Sequence, residues 1–159
     1  MTATIVRLYR ALSGPIPESI MLLFVRIALA GIFWRSGQAK LEEGSWTTIS
    51  EGTYGLFETD YAGVPLPPYF AADAATLAEH LFPILLVIGL AGRPAALALL
   101  VMTMVIQLFV YPEAWWPVHS IWVALALVII VRGPGMFSLD ALFDRRAKSV
   151  AAAGEPAAA

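Results

Sequence analysis

An all-α membrane bundle of four helices is what this sequence predicts, on three observations. The 159 residues are 59% hydrophobic and only 14% charged, with a mean hydropathy of +0.74, far from the mixture of a soluble domain. Apolar stretches near the length of about 20 residues needed to cross roughly 30 Å of hydrocarbon recur four times. Between the third and fourth, the run from Met102 to Trp122 passes through a Tyr/Trp/Pro turn and back into apolar sequence. That is the pattern of a membrane hairpin whose aromatic belt sits at headgroup level.

The elements follow in order. Met1 to Ser19 carries Arg7 and Arg10 but has neither a short apolar core nor a small-residue cleavage site, so it reads as a cytoplasmic lead-in with no cleaved signal peptide. The first span is expected from about Pro17 to Lys40, opened by a proline where a helix can spare an N–H, and interrupted by Arg26 and Arg35. A long loop, Leu41 to Ala72, follows. The second span, about Asp73 to Leu90, carries Glu79, His80 and Pro83 and closes at a tight Gly89-Leu-Ala-Gly-Arg93 turn. The third runs uncharged from Pro94 to Tyr111. The fourth runs from about Trp115 to Val131 and stops at the helix-breaking Arg132-Gly-Pro-Gly135. The expected domain layout is a cytoplasmic segment over 1–16, a four-helix transmembrane unit over 17–143 and a disordered Ala-rich tail over 144–159.

Charge placement predicts the orientation. With four spans, Arg7, Arg10, Arg93, Arg132, Arg145, Arg146 and Lys148 fall on one side, whereas the loop from Leu41 to Ala72 holds five acidic residues and no basic one. The positive-inside rule then places both termini in the cytoplasm, in a bacterial inner membrane. The net charge of −2 carries no signature for nucleic acid, and the lipid bilayer is the first partner. The absence of cysteine excludes disulfide and thiolate chemistry by this chain. No phosphate loop, nucleophile elbow or His-Glu-x-x-His is present either.

Six polar residues within or beside the spans form a candidate cluster: Arg26, Lys40, Glu79, His80, Gln107 and His119. A charge at mid-bilayer costs about 2.5–3.5 kcal/mol on insertion scales, so such groups face the bundle interior and pair. At 100° per residue Arg26, Phe33 and Lys40 share one stripe of the first helix, and Arg35 lies roughly opposite Arg26. Arg26 is the deepest cation and Glu79 the acidic partner for one of the basic groups; an Arg26–Glu79 pair reads either as a structural ion pair or as a ligand or proton site. His80 and His119 read as interfacial hydrogen-bonding residues or as a ligand pair from two helices. Gln107 reads as interhelical glue, and Lys40 as an interior cation or a snorkelling anchor. Trp115, Trp116 and Trp122 read as belt residues, with quinone stacking as the other role. Met102 and Met104 are two apart and face different sides, a poor soft-metal stripe, and there is no metal motif.

These residues also carry a resemblance. The order Arg26-Ile-Ala-Leu-Ala-Gly31-Ile-Phe33, Ser36-Gly37-x-x-Lys40, Glu79, Gly89-Leu-x-Gly-Arg93 and Gly133-Pro-Gly-x-x-Ser138-Leu-Asp140 resembles the DoxX family over residues 20 to 143. The resemblance implies a four-helix inner-membrane protein; the family takes its name from the small subunit of a thiosulfate:quinone oxidoreductase, and other members are accessory subunits of oxidoreductase or oxidative-stress complexes. The stretch from Val105 to Trp115 is similar to DoxX-like proteins found beside gene clusters for copper-binding peptides called bufferins. Arg35 departs from the pattern, standing where an apolar or small aromatic residue is expected. Three functions stay open: a subunit of a quinone-linked redox complex with partner subunits, a non-catalytic scaffold in a metal (copper) or oxidative-stress pathway, and a transporter, which the lack of an inverted repeat disfavours.

Overall fold

A computed structural model describes residues 4–7 and 13–154. Four helices are long and apolar enough to cross a membrane. Helix α1 spans Pro15–Gln38, α3 Pro68–Ile88 and α4 Gly92–Phe109, while the fourth crossing, Pro112–Arg132, ends in α5, Ser120–Arg132. A short helix, α2, covers Glu51–Thr59, and α6 covers Leu139–Gly154. Each long helix turns back on its predecessor, so α1 and α4 run one way and α3 and α5 the other. The core where they meet is built from Leu29, Ala30, Phe33, Leu86, Ala95, Ala96, Leu99, Ala126 and Ile129. Small residues there let the backbones approach, as helix packing in lipid requires.

The four expected spans are present with ends shifted by a few residues. Helix α1 starts at Pro15 with Pro15 and Pro17 in its first turn, and α3 begins five residues before Asp73, at Pro68. The expected loop from Leu41 to Ala72 is only partly loop. It holds an isolated bridge between Leu41 and Ile49, then α2, capped by the Ser50 hydroxyl accepting from Thr53 N–H at 3.2 Å. Polar composition had hidden α2 within this strap. Residues 144–154, expected as a disordered tail, continue α6 as helix. The expected lead-in falls largely on residues 1–3 and 8–12, outside the described residues, as are 155–159.

The fourth crossing is not one α-helix. A 3-10 turn at Pro112–Ala114 leads into a π-turn at Trp115–His119, where Ser120 N–H reaches Trp115 O five residues back. Pro117 lies within this turn and, having no N–H, cannot bond back to the Glu113 carbonyl four residues earlier.

At the Arg132 end, the segment after α5 folds back over the bundle and locks it. Gly89 caps α3 with φ +70°, and Ala91 also takes a left-handed φ of +50°, a costly conformation for a residue with a Cβ. Asp140 holds this turn: its carboxylate accepts from Ala91 N–H at 2.8 Å and Gly92 N–H at 2.9 Å, and its own N–H donates to Gly89 O at 3.0 Å. Arg93 donates to Ile130 O, and Arg132 pairs with Glu18 of α1. Ser19 accepts from Met136 N–H at 3.1 Å. A Cβ on Gly89 would strike the Arg26 guanidinium and Ser138. We expect Asp140→Ala to lose about 1–2 kcal/mol as two helix-end donors lose their cap, seen as a lowered thermal unfolding midpoint in detergent, with Asp144→Ala as the neutral comparison; equal midpoints would refute the lock.

Candidate functional site

The opposite end of the bundle carries the site. Lys40, two residues past α1, and Glu79 of α3 form a buried ion pair at 2.6 Å, with 10% and 2% of their side chains exposed. Ser36 completes it: its hydroxyl donates to the other Glu79 oxygen at 3.1 Å, and Lys40 Nζ lies 3.1 Å from the same hydroxyl. Ser36 stands one helical turn before Lys40, the i, i+4 spacing that puts both on one face. The backbone of Lys40 is fixed from the strap, its carbonyl accepting from Ser50 N–H at 3.0 Å and from the Thr53 hydroxyl at 2.9 Å.

Gly37 makes this approach of α1 and α3 feasible. A Cβ there would stand 2.7 Å from the His80 ring and 3.1 Å from Glu79 Cβ. Pro83 adds a second local effect: lacking an N–H, it leaves the carbonyl of Glu79, four residues back, without its helical partner.

The pair forms the polar floor of an otherwise apolar cavity of about 280 Å³ between α3 and α4. On the α3 side it is lined by Ala71, Ala74, Ala75 and Ala78, whose methyl groups leave the space; Val101, Val105 and Ile106 of α4 face them. Phe57 of α2 and Tyr61 roof it, their rings stacked with centroids 4.3 Å apart. Tyr61 also meets Tyr111 edge-on at 6.4 Å, and Tyr111 donates to Asp60 at 3.0 Å, pinning the strap to the end of α4. Burial, with Tyr111, Glu79 and Asp60 adding to it, pushes the Tyr61 phenol up to about 12. It is therefore a neutral donor at ordinary pH. The volume sits just under the usual range of ligand pockets, roughly 300–1,000 Å³, and suits one ring-sized polar head.

The six expected cluster residues divide into separate groups. Lys40 and Glu79 come together. Beside them His80 has Nδ1 2.7 Å from Thr76 O and Nε2 2.9 Å from Gln38 Nε2. A carbonyl can only accept, so His80 Nδ1 donates to Thr76 O. Gln107 and His119 form their own pair at 2.7 Å, with Gln107 Nε2 donating to Pro112 O at the start of the 3-10 turn. His80 and His119 share no partner, and among the described residues no three metal-ligating side chains cluster.

Arg26 joins none of these, so the expected Arg26–Glu79 pair is replaced by Lys40–Glu79. Arg26 is fully buried at the other end, donating to Phe137 O at 2.6 Å beside Gly89 and Ser138. A shared helical stripe fixes direction but not height. The fourteen residues between Arg26 and Lys40 amount to roughly 20 Å along the axis, and antiparallel α3 brings Glu79 to the Lys40 level. Sequence reasoning named neither Ser36 nor Tyr61 as a site residue; the i, i+4 spacing to Lys40 was the available signal for Ser36. Of the tryptophans, Trp122 packs inward on Phe33 at 5.5 Å while Trp116 is 81% exposed.

Fold and site together define a class: a multi-pass helical membrane protein with a buried ionic pair flooring an apolar cavity near one end of the bundle. The DoxX family model matches residues 21–112, more than half of the chain, which belongs to the DoxX family. A second family model, described as TQO small subunit DoxD, matches residues 71–155. No curated protein and no solved structure matches the chain.

Removing one partner of a buried ion pair costs about 3–5 kcal/mol, whereas replacing both by apolar groups is often neutral. We therefore expect Glu79→Gln to lower the unfolding midpoint far more than Glu113→Gln, and the double variant Lys40→Met, Glu79→Leu to recover most of the loss. Additive losses in that double-mutant cycle would show that the two side chains do not act as a pair.

Proposed function

We propose that this DoxX-family chain is a membrane subunit of a quinone-linked redox complex and that it holds the quinone head group in the cavity above Lys40 and Glu79. The observation that carries the reading is the chemistry of the floor: one ammonium and one carboxylate, themselves buried, beneath apolar walls. A quinone offers carbonyl oxygens that accept from Lys40 Nζ or the Tyr61 phenol, and a quinol offers hydroxyl protons that Glu79 accepts. The apolar walls suit a lipophilic molecule. Reduction of a quinone to a quinol takes two electrons and two protons. In this reading a partner subunit exchanges the electrons, while Glu79, adjusted by Lys40 and Ser36, takes up or yields a proton at the head group. The match to the DoxD small-subunit family supports a place within such a complex.

The same reading sets the Lys40 end toward the outer face of a bacterial inner membrane, with both termini in the cytoplasm. The positive-inside rule supports this, because Arg93, Arg132, Arg145, Arg146 and Lys148 all lie at or beyond the other end. An alkaline phosphatase fusion within the 41–67 strap should be active and one after Asp144 silent; the reverse result would invert the topology.

Gently purified protein should carry quinone detectable by mass spectrometry of its extract, and Glu79→Ala at equal yield should lose most of it. A co-purifying protein subunit without quinone would overturn the redox assignment in favour of a scaffold in a metal or oxidative-stress pathway.

A further inference from the structure

A second groove lies between α1 and α3, bounded by Ile27, Gly31 and Trp34 on one side and Ile84, Val87 and Ile88 on the other, with a volume of about 310 Å³. Ile27, Ile84, Val87 and Ile88 are each between 41% and 49% exposed, so it opens sideways, toward hydrocarbon in a bilayer. A Cβ at Gly31 would meet nothing within 4 Å. Gly31 is itself exposed, so the groove is shallow there and has no side chain across it. One turn beyond Gly31, in the last turn of α1, stands Arg35, exposed and without an ion pair among the described residues. The i, i+4 relation puts it on the Gly31 face, directly above the groove's upper rim.

We propose that this groove and Arg35 together form a binding site for an anionic phospholipid, an acyl chain lying in the recess and the phosphate meeting the guanidinium. Three features of the site fit that ligand. The groove extends over eight residues of α1, from Ile27 to Trp34, seven steps of 1.5 Å or roughly 10 Å; that suits a segment of an acyl chain and is short for a partner helix lying along the bundle. Its wall is hydrocarbon until Trp34, whose ring has the polar edge that favours the headgroup level. Guanidinium is the side chain suited to bidentate phosphate contact, and here no carboxylate neutralises it, so a net negative headgroup gains more than a zwitterionic one. This assignment explains why an arginine stands where an apolar residue is the family expectation, and it does not depend on the quinone reading.

The test uses the full-length protein in detergent with equal amounts of phosphatidylglycerol and phosphatidylcholine, the retained lipids being counted by native mass spectrometry. Wild type should favour phosphatidylglycerol by on the order of tenfold, the worth of one charge-assisted contact. Arg35→Gln should bring the ratio near one, Arg35→Lys should keep part of the preference, and Gly31→Leu, which fills the recess and leaves the charge, should lower retention of both lipids. Unfolding midpoints measured in phosphatidylcholine alone establish that each variant is folded. Equal retention of the two lipids by wild type overturns the proposal, as does an unchanged preference in Arg35→Gln. So does crosslinking of Ile27→Cys to a co-purifying protein subunit rather than to lipid.

Discussion

A carboxylate and an ammonium sealed into an apolar bundle constrain everything packed around them. Neither charge is tolerable alone in such surroundings, so the backbones bearing them must be held at one height and one separation. Gly37 removes the side chain that would keep α1 from α3. The strap fixes Lys40 through its own carbonyl, using Ser50 and Thr53. The alanine face of α3 then opens a cavity beside the pair instead of burying it under bulk. Packing and site chemistry thus rest on the same contact.

The two ends of the bundle solve different problems. At the Lys40 end, a chemically versatile pair is roofed by aromatic residues from a strap that is itself pinned by Tyr111 and Asp60. At the Arg132 end, polar groups close helix termini: Asp140 on the α3–α4 turn and Arg93 on the end of α5. Arg26 is as buried as any described residue, and of its side-chain nitrogens one meets the Phe137 carbonyl while Nε and Nη1 have no partner among the described residues. The two buried cations differ in what lies beside them: Lys40 lines the cavity between α3 and α4, and Arg26 does not line it.

Much of this was legible in the sequence, and the limits were geometric. Hydropathy located four spans because the bilayer imposes their length. The stripe shared by Arg26, Phe33 and Lys40 correctly turned all three inward, since Phe33 and both cations are buried. Periodicity reports angle and leaves height to the packing of antiparallel neighbours, so the partner of Glu79 came out as Lys40 and not Arg26. Helix α2 escaped notice because its nine residues, two of them glycine, show little period in isolation. The π-turn around Pro117 had no sequence signal beyond the proline itself. Ser36 was visible as part of a motif, but its function as the third member of the ionic group required coordinates.

The clasp on the α3–α4 turn also bears on how the chain is made. Its strained Ala91 conformation and Gly89 cap are held by Asp140, about fifty residues later, and Arg26 finds its acceptor only at Phe137. The residues that complete this end all follow the fourth crossing in the chain. A chain ending before Phe137 would therefore lack both the acceptor for Arg26 and the cap on the α3–α4 turn.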